Sequence, residues 1–321
     1  MIFTSIPSPS RGVWWLGPIP IRAYGILMVC AMALAAWICF RRYTRRKGIE
    51  DVLFDTVFMA IVCGIVGARL YHVATHPADF FGEGKNPWAI LFTWEGGMAI
   101  WGALAFGALG AVFMLRRNGQ RIGPFADSLA PALLFAQVLG RFGNYFNQEL
   151  YGGPTTLPWG LEIDPAHMPP GSPEGTLFHP TFLYEGLWNT AGALLLLWLD
   201  RRFKFKSGQV MALYMVIYGT GRFWVESIRV DFSYVFLGIR TNAWTALFVI
   251  LAGLIVFFVA GRVGASTAVS SADRLRYFEL RKKRKGTPIP EEEEVPVSES
   301  FDEDENGDEV GSEDTSDSDG K

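Results

Sequence analysis

The chain has 321 residues, 50% of them hydrophobic and 19% charged, with a mean hydropathy of +0.20. Several apolar runs are long enough to cross a bilayer, which excludes an ordinary soluble domain and argues for a polytopic membrane protein. The formal charge of -3 hides an asymmetry: residues 291–321 hold fifteen Asp and Glu and one Lys, and without them 28 Lys and Arg face 17 Asp and Glu, a net of +11.

Residues 1–20 read as an irregular extracytoplasmic segment. Pro7, Pro9, Pro18 and Pro20 interrupt any signal-peptide core, and Trp14 and Trp15 suit a membrane interface. Apolar periodicity then predicts seven spans, over about 22–40, 52–73, 96–115, 124–146, 181–199, 209–226 and 242–261. The fold class is all-α, with a seven-helix transmembrane catalytic domain over 21–262. Residues 263–321 read as a disordered tail, first basic (RKKRK at 281–285), then acidic and Ser/Asp/Gly-rich. The basic run has the charge to hold anionic lipid.

Basic residues occupy alternate loops: RRYTRRK at 41–47, Arg116, Arg117 and Arg121, then DRRFKFK at 200–206, then RKKRK. The other loops hold Arg11, Lys85, Arg229 and Arg240. By the positive-inside rule the N-terminus lies outside and the C-terminus in the cytoplasm.

Cys30, Cys39 and Cys63 all lie in apolar runs and read as inert buried thiols. No Cys/His spacing fits zinc, His72, His76, His167 and His179 form no ligand pattern, and no residue pattern calls for a metal or cofactor. Gly64, Gly67, Gly102, Gly107 and Gly110 read as close-packing positions between helices.

The informative stretch is Gly140 to Gly152, GRFGNYFNQELYG, at the end of the fourth span. An ionisable group at membrane depth costs at least about 2.5–3.5 kcal/mol, so such groups usually face a polar interior. Continued helix would put Arg141, Asn144, Tyr145 and Gln148 on one face. Arg22 and Tyr24 open the first span, Tyr184 and Glu185 begin the fifth, and Tyr218, Arg222, Glu226 and Arg229 share a face of the sixth. Two arginines on different helices, Arg141 and Arg222, make a charged cavity that suits a phospholipid head group. The plainer alternative is structural: Arg222 with Glu226 as an i,i+4 ion pair, and Arg141 with Glu149 as a helix tie.

At these residues the chain resembles the prolipoprotein diacylglyceryl transferase family. GRFGNYFNQELYG follows that family's signature, supported by YGILM at 24–28, WEGGM at 94–98, HPTFLYE at 179–185 and YGTGRFWVE at 218–226. The resemblance covers about residues 15–260, and the long acidic tail points to an actinobacterial member. It implies transfer of the diacylglyceryl group of phosphatidylglycerol to the lipobox cysteine of a prolipoprotein, with glycerol 1-phosphate leaving. Arg141 matches the phosphatidylglycerol-binding arginine and Arg222 a second essential one. Asn144, Glu149, Tyr24, Tyr218 and Glu226 match other functional positions. The expected catalytic set is Arg222, Glu226, Tyr24 and Glu149, and the expected lipid contacts are Arg141, Asn144, Asn147, Tyr218 and Glu185. One departure stands out: several members carry a histidine where this chain has Trp101, so the general base is open between Glu226 and Glu149, with His179 a minor candidate. The implied partners are phosphatidylglycerol, lipobox-bearing signal peptides and the lipids of a bacterial plasma membrane, with no nucleic acid.

Two other classes are weighed. A transporter also buries charges, but the halves show no duplicated pattern. A metal-dependent phosphatidyltransferase needs clustered aspartates, and the spans offer Asp51, Asp55 and Asp127.

Overall fold

The long apolar runs fold as α-helices, the form in which a segment satisfies its backbone hydrogen bonds internally. The computed structural model describes residues 5–82, 84–93, 96–231, 233–286 and 290. Its helices are α1 (Ala23–Arg45), α2 (Glu50–Thr75), α3 (Ile100–Arg117), α4 (Ile122–Asn147), α5 (Thr181–Arg202), α6 (Gln209–Ile228), α7 (Thr241–Val263) and α8 (Ser271–Lys285). Five, α1 to α4 and α7, are long and apolar enough to cross a membrane. With 22 and 20 residues, α5 and α6 have comparable length, but Glu185 lies in one and Arg222 and Glu226 in the other. The seven predicted spans thus divide into five that length and composition support and two that carry much of the polar chemistry.

Helix α1 lies along α4, α2 along α3, and α6 along α7, with α4 and α5 packed on α6. The predicted glycines do bring α2 and α3 together. A Cβ on Gly64 would sit 3.3 Å from the Ala103 carbonyl oxygen, and one on Gly107 3.2 Å from that of Ala60.

Of the three thiols read as buried only Cys39 is, with Cys30 exposed and Cys63 half-buried. Three expectations about the elements also need correction. Residues 1–20 are not wholly irregular: β1 (Val13–Leu16) pairs antiparallel with β2 (Ile19–Arg22) around Gly17 at φ 62°. Of the four prolines only Pro20 lies in a strand, and it is tolerated because a two-stranded ribbon leaves half its N–H groups unpaired. Helix α3 starts at Ile100 rather than 96, because Gly96 and Gly97 hold φ of 101° and 70°, outside the helical range. The segment from 263 is not all disordered tail, since α8 occupies Ser271–Lys285; the acidic residues 291–321 lie outside the described residues.

Helix α8 docks at the end of the bundle where α1 finishes. Tyr277 is buried among Tyr43, Leu53 and Leu115. Ser270 and Asp273 form a capping box, Arg121 Nε donates to Asp273 Oδ2 at 2.8 Å, and Arg281 Nη1 to Asp51 Oδ2 at 2.8 Å. Burial pushes the Asp273 carboxyl up, but hydrogen bonds from Ser270 and the Arg121 charge outweigh it and hold the group below its ordinary value. At the same end Arg42 and Arg46 meet Asp200 of α5 at 3.0 and 2.9 Å. Asp127 of α4, fully buried, accepts from Gly208 N at 2.7 Å and Met211 N at 3.0 Å, capping α6. The aspartates weighed as metal ligands here include Asp51 and Asp127, and both are engaged in holding helices.

A small cap covers the other end, where α4 finishes. Strands β3 (Pro154–Thr155), β4 (Leu161–Glu162) and β5 (Leu177–Phe178) form a sheet in the order β3-β5-β4. Tyr151, Leu161, Ile163, Phe178 and Phe182 make its core. The N-terminal segment joins it, with Ile6 N donating to Gly160 O at 2.7 Å and Glu162 N to Ile6 O at 2.9 Å. A hairpin of β6 (Val235–Phe236) and β7 (Ile239–Arg240) leads into α7.

Candidate functional site

Arg141 lies near the end of α4, beside the cap. Its Nε is 2.7 Å from Glu185 Oε2 of α5, and its Nη1 donates to Asn144 Oδ1 at 3.3 Å. Asn144 Nδ2 donates to Glu149 Oε1 at 2.8 Å, and Asn147 Nδ2 reaches the same oxygen at 3.2 Å. Glu149 is exposed, and its Oε2 has no partner among the described residues. Tyr24 of α1 lies against Gly143. A Cβ there would come within 2.6 Å of Tyr24 Cδ2, so the close approach of α1 and α4 requires glycine.

The face predicted for α4 holds for Arg141, Asn144 and Tyr145, and Gln148 leaves it. The helix ends at Asn147, and Gln148 turns left-handed with φ 53°. Gln148 Oε1 accepts from Asp164 N at 2.7 Å, its Nε2 donates to Asp164 Oδ2 at 2.5 Å, and Tyr145 OH donates to Pro7 O at 2.7 Å. These two side chains fasten the cap. The alternative tie between Arg141 and Glu149 does not form: Arg141 pairs with Glu185, and Asn144 stands between it and Glu149.

On α6, Arg222 Nη2 stands 2.6 Å from Glu226 Oε2, an ion pair without hydrogen-bond alignment. Arg222 Nη1 is buried with no hydrogen-bond partner among the described residues. Glu226 is 0% exposed and faces three further groups: Arg240 Nε at 2.8 Å, Asn242 Nδ2 at 3.1 Å and Arg229 Nη1 at 3.9 Å. The i,i+4 pair is therefore real but is one edge of a larger network. Tyr218, one turn before Arg222, stacks on Tyr214 with ring centroids 5.9 Å apart, and Gln137 of α4 donates to Tyr214 OH at 3.0 Å.

The loop after α4 joins the two halves. Gly153 N donates to Ile228 O at 2.9 Å, Gly152 N to His179 O at 2.9 Å, and His179 N to Gly153 O at 3.0 Å. Arg222 lies within electrostatic range of both Glu185 and Arg141. A groove of about 460 Å³ opens at the cap end, lined by Asn147, Glu149, Tyr151, His167, Val230 and Asp231 among others; neither Arg141 nor Arg222 lines it. A larger cavity, about 710 Å³, lies at the α8 end, lined by Asp51, Asp55, Arg117 and Arg281; its lining includes neither Arg141 nor Arg222. The smaller groove carries Glu149, which Asn144 ties to Arg141, so the charge network reaches that groove and not the α8 cavity.

Arg141, Asn144, Asn147, Glu149, Glu185, Arg222 and Glu226 are thus linked through hydrogen bonds, ion pairs and electrostatic reach, with Tyr24 and Tyr218 at the flanks. His179 Nδ1 is 3.1 Å from Tyr184 OH, which accepts from Trp159 Nε1 at 3.1 Å. Trp101 is 53% exposed at the start of α3, and Trp94 and Glu95 lie outside the described residues. Sequence reasoning missed Arg240 and Asn242. The available signal was Arg240 itself, a cation in a loop on the side of the chain poor in basic residues.

The model of the prolipoprotein diacylglyceryl transferase family matches residues 11–259. The chain belongs to this family. It is 48% identical over 255 residues to the phosphatidylglycerol–prolipoprotein diacylglyceryl transferase 2 of Streptomyces coelicolor, covering 79% of this chain and 80% of the relative. Against the phosphatidylglycerol–prolipoprotein diacylglyceryl transferase of Leifsonia xyli the identity is 48% over 270 residues, covering 79% and 80%. Against that of Paenarthrobacter aurescens it is 45% over 288 residues, covering 86% and 90%. The family model spans all the site residues named above, from Tyr24 to Asn242, and ends before α8.

Proposed function

We propose that this chain transfers the diacylglyceryl group of phosphatidylglycerol to the lipobox cysteine of a prolipoprotein, forming a thioether and releasing glycerol 1-phosphate. It works in the bacterial plasma membrane as a seven-helix protein, with its N-terminus outside and its C-terminus in the cytoplasm. The alternation of basic loops supports that orientation, and a 20-residue helix such as α6 spans about 30 Å, enough for the hydrocarbon core.

The observation that carries the reading is the state of two guanidinium groups. Each of Arg141 and Arg222 has one edge tied to a carboxylate, Glu185 and Glu226 respectively. Arg141 Nη2 and Arg222 Nη1 have no partner among the described residues, so each arginine keeps a donor for one phosphodiester.

The nucleophile comes with the substrate. A free thiol has a pKa near ~8.5 and is only slightly ionised at neutral pH, so nearby arginines that favour thiolate help. The thiolate sulfur attacks the glycerol carbon that bears the phosphate. The carbon–oxygen bond opposite breaks, and its electron pair stays on the phosphate oxygen of the departing glycerol 1-phosphate. The leaving group gains a negative charge, which Arg141 and Arg222 stabilise more in the transition state than in the ground state. Glu149 takes the thiol proton, because its Oε2 is exposed and uncommitted, whereas both oxygens of Glu226 already face cations. Glu226 and Glu185 orient the arginines. Asn144 and Asn147 hold Glu149 and present amides to the head group, Tyr24 buttresses Gly143, and Tyr218 borders the lipid.

Mass analysis of a lipobox peptide incubated with phosphatidylglycerol and the protein tests this. The peptide gains one diacylglyceryl group, and a Cys→Ser peptide gains none. Modification of the serine peptide at a similar rate would rule out attack by the thiol.

A further inference from the structure

Both oxygens of Glu226 are committed, and to different partners. Oε1 accepts from Arg240 Nε at 2.8 Å and Asn242 Nδ2 at 3.1 Å, while Oε2 meets Arg222 Nη2 at 2.6 Å. Arg240 ends β7 and precedes α7. It is itself fixed by carbonyls, with Nη1 donating to Arg229 O at 2.9 Å and Nη2 to Asp231 O at 2.7 Å. The Nε of Arg240 is therefore aimed at Glu226 by the turn that closes α6.

A guanidinium and a carboxylate with nothing else to satisfy often close into two parallel hydrogen bonds. Arg222 and Glu226, one helical turn apart, are spaced to meet. They do not close in that way. Arg240 and Asn242 occupy Oε1, Arg222 reaches only Oε2, and Arg222 Nη1 stays buried without an acceptor among the described residues. An unsatisfied buried donor on a cation is disfavoured unless the surroundings enforce it, and here they do.

We propose that Arg240 is a positioning residue for lipid capture: by occupying Glu226 Oε1 it keeps Arg222 from closing on Glu226 and leaves the buried Arg222 Nη1 unpaired, to take a phosphate oxygen of the anionic lipid when the head group enters. This rests on the reading of Arg222 as a phosphate contact. It assigns work to a residue outside the arginine–glutamate pair visible on α6, and it explains why a buried carboxylate faces three arginines. Asn242 shares the task at the same oxygen but brings no charge.

The test uses full-length protein in nanodiscs of phosphatidylcholine with increasing phosphatidylglycerol. Equilibrium binding of labelled phosphatidylglycerol and initial rates with a lipobox peptide are both measured. Arg240→Leu is expected to weaken binding and raise KM for the lipid about tenfold or more, the lower end for one charge-assisted hydrogen bond, with a smaller change in kcat. Arg240→Lys returns a cation to Oε1 without the carbonyl clasp and recovers most of the affinity. Arg240→Leu/Glu226→Gln removes the carboxylate on which Arg222 would close and binds lipid better than Arg240→Leu alone. Unchanged binding in Arg240→Leu overturns the inference. So does a double variant no better than the single one, or a loss confined to kcat. If Arg240→Leu does not fold, the lysine and double variants decide: lipid binding well below wild type in both overturns it. Wild-type protein that binds the lipid but modifies no peptide would defeat the transferase reading while leaving the binding comparison intact.

Discussion

Replacing Arg141 with lysine separates charge from geometry. Arg141 Nε meets Glu185 Oε2 at 2.7 Å while Nη1 holds Asn144 at 3.3 Å, so the planar group serves two neighbours and still offers Nη2. A lysine ammonium placed there is a point charge on a flexible stem. It can satisfy Glu185 or a phosphate oxygen, but not both in fixed geometry. Losing one charge-assisted hydrogen bond in the transition state costs about 1.5–3 kcal/mol, or about 10- to 150-fold in kcat/KM. Alanine is a harsher change, because Glu185, with 6% of its side chain exposed, would lose its partner. Breaking such a pair costs about 3–5 kcal/mol of stability. Arg141→Ala/Glu185→Gln removes the orphaned charge and should recover thermal stability without recovering activity. The assay is initial-rate release of glycerol phosphate at varied phosphatidylglycerol, with melting of each variant followed in parallel. Near wild-type kcat/KM in Arg141→Lys would refute forked phosphate binding by Arg141. Full activity in the double variant would remove Arg141 from the reaction altogether.

Gly143→Ala drives a Cβ to 2.6 Å from the Tyr24 ring, and should cost about 1–3 kcal/mol of stability, measured as a lower melting temperature, with activity falling too. Glu149→Gln keeps an acceptor for Asn144 but loses the base, so the rate should fall and recover as pH rises toward the thiol pKa near ~8.5; a pH–rate profile parallel to wild type would exclude Glu149 as the base. Asp127→Asn turns one acceptor at the start of α6 into a donor facing a backbone N–H, and should lower stability by about 1–3 kcal/mol, while leaving the lipid KM of the folded fraction unchanged. The Asp273 carboxyl is held below its ordinary value, so the docking of α8 that it supports is fully present above the unfolded value near ~3.9 and fades as pH falls through the lower folded value. Protection factors of α8 amides, with the intrinsic pH dependence of exchange divided out, should stay high at pH 5 and above and fall only in acid; protection lost between about pH 5 and 7 would contradict that assignment.

The helix order and the two arginines were legible because both rest on local signals. Apolar runs of spanning length become helices, and charge inside such a run must face something polar. Gln148 was misplaced because nothing in Asn147-Gln148-Glu149 marks a left-handed turn as a glycine would; only the contact with Asp164 fixes it. The pairing of Arg141 was misjudged for a related reason. Glu149 is near in sequence, whereas Glu185 is brought by the packing of α5 on α4. Arg240 escaped notice because a hairpin returns it to Glu226 across fourteen positions of chain. Helix α8 was hidden by its charges, although Ser270 and Asp273 have the spacing of a helix start, and Leu275, Tyr277, Phe278 and Leu280 supply apolar residues.

The central claim is tested most directly by single-turnover release of glycerol phosphate from phosphatidylglycerol in nanodiscs, with a lipobox peptide added or withheld. The account predicts one glycerol phosphate released for each thioether formed, none without the peptide cysteine, and strong loss in the Arg141→Ala/Glu185→Gln variant. Release that proceeds at the same rate without peptide, or no release from folded protein with both substrates bound, would contradict it.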